Sequence, residues 1–214
     1  MGENLPFYDK KIDAVILSHP HADHVSGLVE ILRRYEVSKI YFSGVVHTAP
    51  EYVEFLNLIN EKNIDVEIVK EEYEKKIEKD LIFEFIYPLE DFSGKVVSNL
   101  NNSSIVFRLV YVSSTALFTG DFENEEIFEN SSKIEADILK VGHHGSFNAN
   151  AKNFLKAVSP VFAVISLGKN SYGHPHYKTI YYLQQVGAKI LRTDEDGDIT
   201  FLSDGEDWTI KKAP

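Results

Sequence analysis

The chain has no cysteine among its 214 residues. That removes disulfide scaffolds and Cys-ligated zinc sites, and it says little about compartment. The longest apolar runs are of strand length, so none reads as a bilayer span. Met1-Gly2-Glu3-Asn4-Leu5-Pro6 lacks the basic and apolar regions of a secretory signal. Positive charge is scarce: 22 Lys and Arg stand against 33 Asp and Glu, for a formal net charge of −11. This balance argues against a protein that wraps nucleic acid by nonspecific electrostatics. It leaves room for a nuclease, because bound divalent cations would put positive charge where a phosphate must sit, and Lys140, Lys152, Lys156 and Lys169 lie near the candidate site loops. No repeat, low-complexity segment or linker divides the chain, and a hydrophobic content of 43% suffices for one core, so a single domain over residues 1–214 is expected.

What the chain does have is histidine in a pattern. Ser18-His19-Pro20-His21-Ala22-Asp23-His24 follows the apolar run Ile12-Asp13-Ala14-Val15-Ile16-Leu17. Histidines two apart at a strand end can point to the same side and grip one ion, and Asp23 and His24 are expected in the turn beyond, swung toward a second. Of the eight histidines, seven fall in three loops, 19–24, 143–144 and 174–176, each after an expected strand. Gly120-Asp121 makes a fourth such loop. Taken alone, each has a plainer reading: a His-rich surface loop, a helix N-cap at Asp121, a tight glycine-flanked turn at His143-His144, an extended residue before proline at His174. Convergence of all four is hard to explain by core packing. His47 and His176 read as non-ligands.

Periodicity predicts a strand over Ile12–Leu17, a helix opening at Ser26-Gly27, a strand over Lys39–Phe42, a helix from Pro50 and a strand over Ile64–Val69. The charged run Glu71–Lys76 reads as a solvated turn. Strands are expected at Leu81–Tyr87, Ser104–Tyr111, Thr115–Phe118, Ala136–Val141 and Val161–Ser166. Short helices are expected at Phe122–Asn130 and Ala151–Val158, a further helix over Tyr177–Val186, and closing strands near Lys189–Arg192, Ile199–Leu202 and Trp208–Lys211. Ser103 and Ser104 read as the start of a strand. Strand clusters with interspersed helices predict an α/β fold, a sheet core covered by helices.

His-x-His-x-Asp-His at a strand end resembles the signature of the metallo-β-lactamase superfamily, which implies an αββα sandwich with a two-metal hydrolytic site. Asn101-Asn102-Ser103-Ser104, Thr119-Gly120-Asp121, Leu139 to Ser146 with its Gly142-His143-His144-Gly145-Ser146, and Asn170 to Pro175 with Tyr172-Gly173-His174-Pro175 extend the likeness. Together these resemble the C-terminal hydrolase-like domain of ComEC-family competence proteins, over about Ile12 to Thr200. The resemblance implies a metal-dependent phosphodiesterase or DNA nuclease linked to DNA uptake, working through a hydroxide activated by two divalent ions, Zn²⁺ or Mn²⁺. It implies His19, His21, Asp23, His24, Asp121, His143 and His174 as metal ligands, with Asp121 bridging. Asp23, Asp121 and His144 take catalytic roles, and which of His143 and His144 is the ligand stays open. Ser146, Asn102, Ser103, Lys169 and His176 are the substrate-binding candidates, with His176 an alternative to His144 for protonating the leaving oxygen. Partners would be DNA or another phosphodiester and a membrane channel component, and location depends on whether membrane helices precede this domain, as in ComEC relatives.

Two departures from the superfamily pattern stand out. Only about a dozen residues precede the first motif, so the sandwich is expected to lack its first N-terminal strands and to expose an edge there. Asn101, Asn102 and Ser103 also stand where the superfamily often has a histidine, which would hold one ion more weakly. Two other readings compete: a hydrolase of a small ester, thioester or lactam on the same fold, and a metal-binding module without turnover.

Overall fold

The structure is a computed structural model and describes residues 8–128 and 131–212. A strand, β1 (Lys11–Ile16), leads through the first histidine loop into a helix, α1 (Ala22–Arg34). Strand β2 (Glu36–Phe42), helix α2 (Pro50–Lys62) and strand β3 (Asp65–Ile68) follow. The three strands form a parallel sheet in the order β1-β2-β3. Val25, Val29 and Leu32 of α1 fall on one helical stripe and are buried, as are Tyr52, Phe55 and Ile59 of α2. Both stripes pack on Val15, Leu17, Ile40 and Phe42 at the sheet's outer face. Each such side chain contributes roughly 1.5–3 kcal/mol on burial.

Among the described residues the second sheet has seven strands. Strands β4 (Tyr73–Glu78), β5 (Leu81–Tyr87), β6 (Val106–Tyr111) and β7 (Ser114–Phe118) run antiparallel, and β8 (Ile138–Lys140), β9 (Phe162–Ile165) and β10 (Lys189–Arg192) continue it in parallel with β7. Helices α3 (Lys152–Val158) and α4 (Tyr177–Gln185) cover its outer face, where Phe154, Leu155, Val158 and Leu183 meet Leu117, Leu139, Ala163 and Ile165. Between the sheets lie Tyr41 and Val69 on one side and Phe85, Ile105 and Phe107 on the other, with the Tyr41 and Phe85 rings 5.2 Å apart. The architecture is the expected αββα sandwich. A hairpin, β11 (Ile199–Ser203) with β12 (Trp208–Lys212), covers another part of the second sheet's inner face. There Phe201 packs on Phe162 and Trp208 Nε1 donates to Asp137 Oδ2 at 3.2 Å. Among the described residues β1 has a strand partner on one side only.

The topology positions the chemistry. β1, β7, β8 and β9 each run toward the loops that hold His19–His24, Asp121, His143–His144 and His174, so side chains far apart in sequence arrive at one end of the sandwich. The backbone N–H of Ile105 donates to Ser18 O at 2.9 Å and ties the two sheets there.

Several elements differ from expectation. Helix α1 starts at Ala22, not at Ser26-Gly27, so Asp23 and His24 occupy its first turn; a carboxylate there suits the positive end of the helix. Glu71–Lys76 is not a free turn: from Tyr73 it becomes β4, a sheet-edge strand whose charges alternate with half-buried residues. Asn101–Ser103 is a 3₁₀ turn, and β6 begins only at Val106. The expected helix over Phe122–Asn130 is a single 3₁₀ turn, Glu125–Phe128, with residues 129 and 130 outside the described residues. No helix among the described residues is long and apolar enough to cross a membrane.

Candidate metal centre

The centre is built around Asp121, which is buried. It follows Gly120, whose φ of +54° and close neighbours both require glycine: a Cβ there would stand 2.8 Å from Ser18 Cβ and 2.9 Å from Ser104 Oγ. Ser104 Oγ in turn accepts the Asp121 N–H at 3.2 Å. Asp121 Oδ1 lies 3.3 Å from His24 Nε2, and Oδ2 lies 3.9, 3.8 and 3.8 Å from the Nε2 atoms of His19, His143 and His144. One carboxylate is thus ringed by four imidazoles.

Further donors cluster round it. Asp23, His24, Asp121 and His144 each offer an atom such that all four lie within 4.8 Å of one another. His19 Nε2 and His21 Nδ1 are 3.0 Å apart. Ser18 Oγ touches the Nδ1 atoms of both His19 and His24, at 3.2 and 3.0 Å, and orients their Nε2 atoms inward. His144 is fixed the same way, with Nδ1 2.7 Å from Ser166 O and Nε2 3.1 Å from Asp23 Oδ2. His143 Nδ1 is 2.9 Å from Glu123 Oε1.

Electrostatics favour ligation. Burial, with the neighbouring His24, holds the His19 pKa down at about 3, so its imidazole is neutral and its lone pair available. Burial alone would raise the Asp121 carboxyl, but the adjacent His24 imidazole and the surrounding histidines outweigh it and keep it well below the usual range. The hydrogen bond from His144 brings Asp23 to about 2 and raises His144. Burial lowers His21 and His174. Asp121 Oδ1 and His24 Nε2 are buried without a hydrogen-bond partner, each a cost of about 1–3 kcal/mol that a shared cation removes. The donors are nitrogen and oxygen only, a set that suits Zn²⁺, Mn²⁺ or iron. The residues fit a metal.

The remaining candidates scatter. His174 stands at the edge, its ring 5.7 Å from that of His143; Asn170, by a two-way side-chain bond to its backbone, pins it there. Lys169 lines a cleft of about 340 Å³ beside Asp23 and His144, with Asn170, Tyr172 and His174. Ser146 is buried, its Oγ accepting the Asn148 N–H, and Ser103 is buried, its Oγ donating to Leu100 O; neither faces the cleft. Asn102 Oδ1 accepts the Glu123 N–H. His176 accepts the Lys178 N–H and caps α4, and His47 lies outside the cluster, its ring 6.4 Å from that of His21. Sequence reasoning missed Glu123, Ser18 and Ser104. Glu123 gathers Asn99, Asn101 and His143 around one carboxylate; its only signal was an acidic residue two positions past Asp121.

Fold and centre together place a His/Asp cluster suited to divalent metal at the end of an αββα sandwich. The chain belongs to the metallo-beta-lactamase superfamily, whose pattern it matches over residues 7–169; members are generally metal-dependent hydrolases. It is 33% identical over 196 residues to ComE operon protein 3 of Bacillus subtilis and 30% identical over 197 residues to competence protein ComA of Neisseria gonorrhoeae. Each alignment takes in 90% of this chain and 25% of the relative, so the chain spans about a quarter of the length of the curated relatives it matches. Among solved structures, CmlA of Streptomyces venezuelae, a diiron β-hydroxylase, superposes with a TM-score of 0.56 at 14% identity, over 90% of this chain and 45% of that one, a likeness of fold.

Proposed function

We propose that this domain is a metal-dependent phosphodiesterase that cleaves DNA, of the kind that competence proteins would use in DNA uptake. The observation that carries the reading is the buried Asp121, with the Nε2 atoms of His19, His24, His143 and His144 at 3.9, 3.3, 3.8 and 3.8 Å from its carboxylate oxygens and with His21 and Asp23 beside these imidazoles. A carboxylate ringed by so many nitrogen and oxygen donors suits a pair of divalent ions better than one. The competence relatives supply the DNA context.

Two such ions would polarise a phosphoryl oxygen and lower the pKa of an attacking water toward neutrality. The chain's own residues do the rest. Ser18, Ser166 and Glu123 hold the imidazoles in the orientation that turns Nε2 inward. His144 stands on the cleft wall with its Nδ1 held by Ser166 O, so its Nε2 is the atom turned toward a cation on the Asp23 side. Lys169 on the cleft wall offers charge to a phosphate.

The test is hydrolysis of bis-p-nitrophenyl phosphate and of single-stranded DNA by protein loaded with Mn²⁺ or Zn²⁺, with Asp121→Ala beside it. Metal-dependent cleavage that falls by a factor of about 10³ or more in the variant is expected, as for loss of a group that organises the transition state. Turnover of a lactam or thioester instead would move the domain to another substrate class. A folded, metal-loaded protein that hydrolyses none of these would be a binding module.

A further inference from the structure

The rim of the metal centre carries rings that the core does not use. Phe147, Tyr172 and Tyr177 are 53, 82 and 71% exposed, the first two in the loops that follow β8 and β9 and the third at the start of α4. The rings run outward in two arms. Tyr172 lies over His174 at 6.0 Å and 23°, and His174 is 5.7 Å from His143 in the centre. Phe147 lies 5.0 Å from His176, which is 4.5 Å from Tyr177. Leaving an aromatic ring in water forgoes roughly 1.5–3 kcal/mol of burial, and here Tyr172 does so on the cleft wall while Phe147 and Tyr177 do so beside His176.

The segment that carries these rings is also segregated in charge. From Ile138 to Thr193 the chain has six lysines, one arginine and no acidic residue, although its formal net charge is −11. Arg192 is bridged to Asp194 and Glu195 and Lys140 donates to Val141 O inside the sandwich. Lys169 is exposed on the cleft wall, and Lys178 Nζ stands 4.5 Å over the Phe147 ring.

We propose that this rim is a binding site for a single strand of nucleic acid, its bases stacking on Tyr172, Phe147 and Tyr177 and its phosphates facing Lys169 and Lys178. Unpaired bases expose their faces to such rings and paired ones do not, so the site selects single strands and tolerates any sequence. The inference rests on the phosphodiesterase reading for what happens to the bound strand, but binding is measured apart from turnover.

The experiment is fluorescence anisotropy with a labelled phosphorothioate oligo(dT), which resists cleavage, on the metal-loaded protein. Controls are an abasic strand of equal charge and a duplex of equal length. Wild type should bind oligo(dT) at least tenfold more tightly than either control. Tyr172→Ala and Phe147→Ala should each weaken binding about 5- to 150-fold, the range of one lost base–ring stack, and Tyr172→Phe should retain it. If an alanine variant melts early, Tyr172→Leu keeps apolar bulk without a stacking face and should bind as weakly. Equal binding of the abasic strand, or variants that bind as wild type does, would overturn the inference. Hydrolysis of bis-p-nitrophenyl phosphate by wild type reads the catalytic proposal on its own: turnover without a base-dependent preference defeats the rim alone, and base-dependent binding without turnover defeats the nuclease alone.

Discussion

Two loops bring most of the imidazoles to Asp121, and they are held in different ways. The His19–His24 loop takes its shape from regular structure: β1 ends, His21 sits in extended geometry with φ −65° and ψ 147°, and α1 begins at once. The Gly142–Ser146 loop has no such frame. His143 and His144 both adopt left-handed backbone, φ +45° and +52°, at a cost of roughly 1–2 kcal/mol per residue. Tertiary bonds hold them there. Asn150 accepts the Gly142 N–H and donates to Gly142 O and Ser146 O. The buried carboxylate of Glu125 accepts the next N–H, that of Ala151. Strain of this kind persists only where the surroundings over-determine it. The first loop is specified locally and the second by the fold around it, so mutations should weaken the second more widely.

The largest effect is expected at Gly145. Its φ is +80°, and a Cβ would stand 2.7 Å from Pro175 Cβ and 3.2 Å from Pro175 Cα, so Gly145→Ala must push apart the loops that carry His144 and His174. A loss of about 2–4 kcal/mol in chemical denaturation is expected, with weaker metal binding. Unchanged stability would mean that the loop relaxes freely and that the contrast between the loops is wrong.

Glu125 sharpens the contrast through pH. Burial pushes its pKa up to about 8, against an ordinary value near 4.3. The folded state therefore holds a proton that the unfolded state has released, and stability falls as pH rises from about 4.5 to about 8. Glu125→Gln keeps an oxygen for the Ala151 N–H and removes the titration. Its advantage in unfolding free energy over wild type should grow across that window to a few kcal/mol at pH 8 and shrink toward zero at pH 5. Parallel pH profiles for the two proteins would exclude a neutral buried Glu125.

Glu123 tests the loop's metal side. With Nδ1 of His143 committed to Glu123, Nε2 is the atom left for a cation. Removing such a partner typically lowers metal affinity 10- to 100-fold. Calorimetric titration of Glu123→Ala with Zn²⁺ or Mn²⁺ should show that loss with the fold intact, and a titration superimposable on wild type would count against His143 as a ligand.

What could be read from sequence follows the same division. The His19–His24 pattern was legible because its spacing falls on a strand end and a helix start, where side-chain direction is set by periodicity. Only the helix start was misplaced: His21 makes no side-chain cap bond, so nothing at Ala22 announced it. In the second loop His143 and His144 were visible as residues, but their separate directions, one toward Glu123 and one toward Asp23, come from backbone conformation that no local pattern encodes. Ser103 and Ser146 misled for a related reason. They are polar, near the motifs, and buried into turns, whereas Ser104 and Ser18 face the site because they pack against Gly120. β4 was hidden by composition, since Glu74, Lys75 and Lys76 read as a solvated turn although charge is what an edge strand carries.

The smallest expected effect has the opposite sign. Gly27 lies inside α1, three residues past His24, and a Cβ there meets nothing within 4 Å. Glycine in a helix interior costs roughly 0.5–1 kcal/mol relative to alanine, so Gly27→Ala should stabilise the protein by about that much and leave metal affinity unchanged. The same Gly→Ala exchange would then raise stability beside one ligand loop and lower it within the other. If Gly27→Ala instead weakened metal binding, the first turn of α1 would depend on flexibility further along the helix, and the first loop would be no more locally determined than the second.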